Sequence, residues 1–224
     1  MLQVIKWSYA IKVLPNLLRG TVITIKLALL GVIAGIIIGT IVGLIRVNRT
    51  KILYQLATVY VEVIRGTPML VQLVLFFYGL PQIIGYRMEP FTAAFITFGL
   101  NSGAYTSEIV RGGIQSIDRG QMEAARSLGM SYFQAMWYII LPQAFRRILP
   151  PLGNEFIILL KDTALASTVT LQEMMRVGQI QMARTGQPFP VYVMAALIYL
   201  VMTLPLSQGV RWLERRMGAG DQGL

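Results

Sequence analysis

Residues 118–142 read DRGQMEAARSLGMSYFQAMWYIILP and form a polar island between long apolar runs. Within it, a Glu-Ala-Ala triplet at 123–125 is followed after three residues by Gly129. After nine more residues comes Ile139, then one residue, then Leu-Pro. A membrane protein rarely places so many polar residues between apolar runs without a partner to receive them. The island therefore predicts a docking surface; the alternative is an ordinary amphipathic connector on the membrane surface.

The composition is that of an integral membrane protein. Of the 224 residues, 55% are hydrophobic and 13% are charged, and the mean hydropathy is +0.61. A soluble domain of this length needs more polar surface to cover its core. The apolar runs are continuous rather than short and alternating, which argues against a β-barrel. We expect an all-α membrane protein built as one domain over residues 1–224.

The net charge of +10 does not indicate nucleic-acid binding. Most basic residues lie at the ends of apolar runs, where the positive-inside bias and membrane lipid headgroups account for them. The sequence has no Cys and no His, which excludes thiol chemistry and Cys or His metal sites. It also lacks a GxxxxGK[ST] phosphate loop, so we expect no ATP site in this chain.

Five apolar runs are long enough to cross a bilayer core, which takes about 20 residues. They cover approximately residues 21–45, 54–80, 91–110, 152–171 and 189–212. The first twenty residues carry Lys6, Lys12 and Arg19 among apolar residues, as in an amphipathic interfacial helix. We expect five core transmembrane helices, an N-terminal interfacial helix, and cytoplasmic helices in a loop over about 112–150.

The basic residues also predict the orientation. If the N-terminus is outside, the basic residues inside are Arg46, Arg49, Lys51, Arg111, Arg119, Arg126, Arg146, Arg147, Arg211, Arg215 and Arg216. Those outside are Lys6, Lys12, Arg19, Arg87, Arg176 and Arg184. Because the inside set is the larger, the positive-inside rule predicts an external N-terminus, an internal C-terminus and a cytoplasmic polar island.

Glycines recur at four-residue spacing in the first run, at Gly31, Gly35, Gly39 and Gly43. Such a stripe lets two helix backbones approach closely in lipid. It predicts a tight contact within the chain in preference to a dimer seam.

The second run contains Gly66-Thr67-Pro68. Proline cannot donate a backbone hydrogen bond and glycine weakens a helix, so we expect a kink or an unwound turn there. Irregular backbone at membrane depth is tolerated where it faces protein or a watery cavity.

Capping residues predict two short helices within the polar island. Asp118 suits a helix N-cap, with Gln121 placed for a capping box, and Gly129 suits a left-handed C-cap. Ser131 can cap a second helix, and Pro142 is expected to end it.

The spacing of the island resembles the docking loop of ATP-binding cassette (ABC) transporter permeases, known as the EAA motif. Other stretches resemble the polar amino acid branch of the bacterial importers: RGTPMLVQ at 65–72 with FFYGLP at 76–81, AYTSEIVRGGI at 104–114, and PPLGN at 150–154 running to LKDTAL at 160–165. The resemblance covers nearly the whole chain. It implies the ABC type I importer permease fold in the bacterial inner membrane.

The resemblance also implies partners and roles. The partners are a second permease subunit, identical or related, two ATPase subunits that bind ATP and Mg, and an extracytoplasmic amino-acid-binding protein. The residues implied to dock the ATPase are Glu123, Ala124, Ala125, Ser127 and Gly129.

Ionisable residues within the apolar runs are candidates for substrate binding, because burying them in a bilayer is costly. Glu155 and Asp162 are seven residues apart, so on a helix both face nearly the same way, roughly 10 Å apart. Two acids on one face suit a basic amino acid such as Arg, Lys or His. We expect Gly66, Thr67 and Asn101 to add polar contacts to the α-carboxylate. Alternatively, Lys161 neutralises Asp162 from a neighbouring subunit or an adjacent span.

Two further charged pairs have a structural interpretation. Glu62 and Arg65, like Glu108 and Arg111, are three residues apart, and an ion pair along each helix would lower the cost of insertion.

The sequence therefore predicts the permease subunit of an importer for polar, preferably basic, amino acids. Glutamine or glutamate import by the same family is the alternative. A self-contained secondary transporter or channel would need internal repeats that the sequence lacks. A membrane enzyme is disfavoured, because there is no His, Cys or metal-ligand cluster.

Overall fold

A computed structural model describes residues 6–48 and 51–218, so Arg49 of the orientation argument lies outside the described residues. Within these ranges every regular element is helical. The α-helices are α1 (Ser8–Asn48), α2 (Lys51–Gly66), α3 (Met69–Val74), α4 (Leu80–Ile84), α5 (Pro90–Gln115), α6 (Arg119–Ser127), α7 (Tyr132–Ala135), α8 (Leu141–Asp162), α9 (Met174–Thr185) and α10 (Pro188–Gly218). Two π segments, Leu75–Gly79 and Met136–Ile140, and a 3-10 helix, Thr163–Val169, connect some of them.

Two of the described helices, α1 and α10, are long and apolar enough to cross a membrane. A third crossing is obtained if α2 and the segment Met69–Ile84 are counted together across their break. Helices α5 and α8 have 26 and 22 residues but carry polar side chains, several of which are buried inside the bundle. The number of five crossings stays a prediction.

The predicted close contact of the glycine stripe is confirmed, and its partner is α5. All four glycines are buried. A Cβ placed on Gly35 would lie 2.5 Å from Ser102 Oγ, and one on Gly39 would lie 2.6 Å from Thr106 Cγ2. The backbone of α1 therefore packs directly against α5 along the glycine stripe, and a methyl group on Gly35 or Gly39 would push the two helices apart.

The predicted break after Gly66 is also confirmed. Helix α2 ends at Gly66, α3 begins at Met69, and the chain turns by 102° between them. Pro68 has the extended conformation before α3 (φ −62°, ψ 135°), as expected for a residue that cannot continue a helix.

In the polar island, the local predictions for α6 hold with one exception. The Asp118 side chain accepts a hydrogen bond from the backbone of Gly120. Gly129 has φ +84°, and its N–H donates to the Arg126 carbonyl while that of Met130 donates to Ala125, which together form a Schellman motif. The N-cap of Asp118 forms without the predicted capping box; instead the side-chain oxygen of Gln121 accepts from Gln143.

The second part of the island differs from the prediction. Ser131 and Gln134 form a capping box at the start of α7. However, Pro142 does not end the helix that follows: α7 runs through the π segment into α8. In the π turn the N–H of Leu141 donates to Met136, five residues back. Pro142 has no N–H, and it is accommodated because the preceding turn is wider and because it lies in the first turn of α8.

Three predicted boundaries are corrected. Helix α8 begins at Leu141, not near residue 152, and a 3-10 helix replaces its predicted end. The segment between the fourth and fifth predicted runs, for which no helix was predicted, contains α9, whose N-cap Glu173 accepts from two backbone N–H groups. That segment has many polar residues, but its apolar side packs between α1 and α10 around the buried Met174.

The N-terminal segment is not a separate interfacial helix. Helix α1 is continuous over 41 residues and includes Pro15. At 1.5 Å per residue it is about 60 Å long, twice the thickness of a bilayer core. Its first turns therefore extend beyond the part that can lie in hydrocarbon, and they pack with α9 and α10 around Val13 and Leu17.

The α1–α5 contact leads to a stability prediction. We expect Gly39→Ala to lower the free energy of unfolding by about 1–3 kcal/mol, because the new methyl group overlaps Thr106 and the Gly103 carbonyl. Gly209→Ala is the matched control, since a Cβ there meets no atom within 4 Å. Thermal unfolding of the purified protein in detergent measures both; equal midpoints for the two variants would contradict the proposed contact.

Candidate functional site

The structure brings the five predicted substrate-site residues to one cavity of about 560 Å³. Its lining comes from the α2–α3 break, from α5 and from α8. The cavity is lined by Arg65, Gly66, Thr67, Pro68, Met69, Asn101, Tyr105, Glu155, Ile158 and Asp162. The cavity is of a size suited to a small molecule.

The two acids lie on α8. Glu155 is buried, at 7% exposure, and Asp162 is the half-buried last residue of the helix. The Glu155 carboxyl group lies near the Ser102 hydroxyl of α5 and near the Asp162 carboxyl group. Within the described residues, no basic side chain lies within salt-bridge distance of either acid. The site therefore contains two acidic groups without an ion-pair partner among residues 6–48 and 51–218.

Lys161, the alternative partner of Asp162, lies on another side of α8. It lines a groove against α10 together with Tyr199 and Leu200. Neutralisation of Asp162 by a lysine of a neighbouring subunit stays a prediction.

Gln72 holds the broken helix in shape. Its amide nitrogen lies 2.7 Å from the Ile64 carbonyl and 2.9 Å from the Thr67 hydroxyl. Its amide oxygen accepts a hydrogen bond of 3.1 Å from Asn101. The break leaves carbonyl groups at the end of α2 without partners in the helix. The buried Gln72 side chain donates hydrogen bonds to these carbonyl groups and connects the break to α5 through Asn101.

These contacts determine which hydrogen-bonding groups of Thr67 and Asn101 are already used within the chain. The Thr67 hydroxyl donates to the Val63 carbonyl at 2.8 Å and accepts from Gln72. Asn101 uses its amide nitrogen toward Gln72, which orients the amide. Gly66 has open space where a Cβ would lie, so the backbone is accessible at the break.

A cluster of arginines around Glu108 lies beside the cavity. Glu108 accepts from Arg111 at 2.5 Å and from Arg46 of α1. The predicted Glu108–Arg111 pair is thus confirmed, with a second arginine added. Arg65 of α2 lies 3.9 Å from the same carboxylate.

The predicted pair between Glu62 and Arg65 is wrong. The Arg65 guanidinium turns toward α5, where it lies 5.2 Å from the ring centroid of Tyr105 and close to Glu108. Tyr105 and Glu108 on α5 together attract the Arg65 guanidinium more than the exposed Glu62 carboxylate on its own helix does. Glu62 forms no ion pair within the described part of the chain.

The predicted docking residues lie apart from the cavity, on and after α6. Ala125 is buried, and Glu123, Ala124, Ser127 and Gly129 are exposed. The Ser127 hydroxyl donates to the Glu123 carbonyl at 3.0 Å. Large apolar side chains nearby are exposed too, including Leu128 at 84% and Phe133 at 74%. The loop thus presents a mixed polar and apolar surface.

Three residues at the site were not predicted from the sequence: Gln72, Arg65 and Tyr105. A signal for Gln72 exists, because a lone glutamine in an apolar run needs a buried partner. The location of Arg65 follows only from the packing of α2 against α5.

Comparison with known families and proteins identifies the architecture. The family described as "Binding-protein-dependent transport system inner membrane component" matches residues 31–219. The glutamine transport system permease protein GlnP of Escherichia coli strain K12 is 42% identical over 212 residues, covering 94% of this chain and 97% of that protein. The arginine transport system permease protein ArtQ of Bacillus subtilis strain 168 is 37% identical over 215 residues, covering 96% and 98%.

Solved structures agree. The chain matches a crystal structure described as an amino acid ABC transporter with histidines at a TM-score of 0.92 and 42% identity, covering 96% of this chain and 100% of that one. An inward-facing structure of the MetNI methionine ABC transporter matches at a TM-score of 0.75 and 20% identity, covering 90% and 95%, which shows the fold alone. The family match spans most of the chain and the relatives cover nearly all of it, so the chain belongs to the family of binding-protein-dependent transport system inner membrane components and has the ABC type I permease fold.

Proposed function

We propose that this chain is the transmembrane subunit of an ATP-driven importer that carries polar amino acids, preferably basic ones, across the bacterial inner membrane. Its family membership and relatives named for glutamine and arginine transport support amino acid import. The preference for basic amino acids is supported by one observation: the cavity contains Glu155 and Asp162, and neither has an ion-pair partner in the described chain.

Electrostatics favours a basic substrate. A buried carboxylate without a cation is unfavourable, and within a membrane protein the cost is high. Arginine or lysine brings two positive groups, the α-ammonium and the side-chain cation, one for each acid. A guanidinium also forms two parallel hydrogen bonds with a carboxylate, which gives it the better geometry.

Glutamine is the alternative substrate within the same family, and the name of the Escherichia coli relative favours it. Its α-ammonium would satisfy one acid, and its side-chain amide would donate to the other without neutralising it. The two substrates therefore differ in how strongly they depend on the second negative charge.

The complete transporter requires further chains. We expect a second permease subunit, two ATPase subunits that bind ATP and Mg, and an extracytoplasmic amino-acid-binding protein. The surface of α6, with Glu123, Ala124, Ala125, Ser127 and Gly129, is where we propose that the ATPase docks. The proposed topology has five crossings, an external N-terminus and an internal C-terminus.

The substrate proposal predicts the effect of Glu155→Gln, which removes a charge and nearly preserves the shape. We expect ATP-driven uptake of L-arginine and L-lysine by the reconstituted transporter to fall about 10-fold or more at limiting substrate. The reason is that a hydrogen bond to a charged group contributes about 1.5–3 kcal/mol. Uptake of L-glutamine should fall much less.

Glu89→Gln is the matched control, because Glu89 is an exposed acid outside the cavity. It should leave uptake of all three amino acids unchanged. Equal losses of arginine and glutamine uptake with Glu155→Gln, or no loss of either, would rule out the charge-based preference.

The docking proposal predicts the effect of Gly129→Ala. At φ +84° an alanine is strained by about 1–2 kcal/mol, so the Schellman turn after α6 should distort. We expect less ATPase subunit to co-purify with the variant than with the wild type.

Gly112→Ala is the control for this substitution, since Gly112 is helical and a Cβ there meets no atom within 4 Å. It should retain the ATPase fully. Full retention by Gly129→Ala would argue against docking at this turn, and ion-driven uptake by the chain alone in liposomes would argue against an ATP-driven importer.

A further inference from the structure

We propose that Arg65 binds the α-carboxylate of the transported amino acid. This inference rests on the proposed function of the cavity as an amino acid site. Among the charged lining residues that the structure describes, Arg65 has no role in the substrate proposal above. The α-carboxylate is a group that amino acids of every side-chain class share.

The position of Arg65 suits this role. It lines the cavity beside Gly66 and Thr67, at the end of α2, and its side chain is 42% exposed. The Tyr105 ring lies 5.2 Å away and supports the guanidinium from one side. The group is therefore held in place but accessible to a ligand.

The charge of Arg65 is not neutralised by its nearest acid. Glu108 accepts hydrogen bonds from Arg111 at 2.5 Å and from Arg46, whereas Arg65 lies 3.9 Å from it, beyond hydrogen-bond distance. One carboxylate thus faces three guanidinium groups, and Arg65, the one that lies beyond hydrogen-bond distance of it, is the one that lines the cavity. An anion bound there gains a bidentate partner that phosphate and carboxylate groups prefer.

The other polar groups near Arg65 are already occupied in part. The Thr67 hydroxyl donates to Val63, and the Asn101 amide nitrogen donates to Gln72. Among the described residues that line the cavity, Arg65 alone has a positive charge. Arg65 is therefore the positively charged partner that these lining residues offer the α-carboxylate.

The charges also balance for a basic amino acid. With both acids ionised, the cavity carries two negative charges, from Glu155 and Asp162, and one positive charge, from Arg65. Zwitterionic arginine or lysine has the opposite pattern, two positive groups and one carboxylate. Arg65 thus turns an acidic cavity into one that distinguishes an amino acid from a plain diamine.

The experiment measures ligand binding to the purified permease–ATPase assembly in lipid nanodiscs, without the binding protein. The probes are L-arginine and agmatine, which is arginine without its carboxylate. We expect the wild type to bind L-arginine at least 10-fold more tightly than agmatine. Arg65→Gln should weaken L-arginine binding roughly 10- to 100-fold, the range expected for losing a charged hydrogen bond, while agmatine binding changes less than about 3-fold.

Two further variants separate recognition from structure. Arg111→Gln removes another partner of Glu108 outside the cavity, and the preference for L-arginine over agmatine should persist. Arg65→Lys keeps the charge without the planar fork, and part of the preference should persist. Agmatine binding by Arg65→Gln shows directly that the variant is folded.

The inference is overturned if the wild type binds both probes equally, or if Arg65→Gln keeps the preference or weakens both probes alike. An assembly that binds L-glutamine and not L-arginine overturns the basic preference alone. The comparison of L-glutamine with its decarboxylated form, 4-aminobutanamide, then tests Arg65 in the same way. An assembly that binds none of these amino acids counts against both proposals.

Discussion

A carboxylate that is at least partly buried among helices is stabilised by a cation, and Glu108 and Glu155 differ in whether the described chain supplies one. Glu108 is surrounded by arginines from α1, α2 and α5, so its charge is compensated within the chain. Glu155 is more deeply buried, at 7% exposure, and the Ser102 hydroxyl and the Asp162 carboxyl group are its neighbours. The first arrangement fastens helices together, while the second leaves a charge for a ligand to neutralise. This contrast separates a structural acid from a candidate binding acid more clearly than position in the sequence does.

The cavity exists because a helix is broken beside a wall that is packed closely. Backbone contact between α1 and α5 along the glycine stripe fixes α5, and α5 presents Asn101 and Tyr105 on its other side. The break after Gly66 opens space next to these residues but leaves backbone groups that need partners. Gln72 supplies the partners and joins the break to Asn101. The polar rim of the cavity is thus also the support of the broken helix.

The sequence predicted those features that depend on a few neighbouring residues. The break at Gly66, the turn at Gly129 and the cap at Ser131 follow from backbone rules, and they appear where expected. The helical spacing of Glu155 and Asp162 likewise placed both acids at one cavity. Features that depend on distant partners were mispredicted: Arg65 turns to α5 instead of pairing along its own helix. Helix α9 was not predicted, because its stabilising contacts are with α1 and α10.

The proposed docking loop is joined at both ends to the helices that form the cavity. Helix α5 carries Asn101 and Tyr105 and ends at Gln115, three residues before the cap of α6. Helix α8 carries both acids and follows the π segment Met136–Ile140 of the loop without a non-helical residue between them. Between them, Arg147 of α8 donates to the Ser116 carbonyl at 2.5 Å, and Gly113 packs against Ile148. Because α6 is capped at both ends, we expect a displacement applied to it to be passed to α5 and α8 instead of being absorbed by a flexible loop. The walls that carry the two acids, on α8, and Asn101 and Tyr105, on α5, are therefore the parts of the cavity that we expect such a displacement to move first.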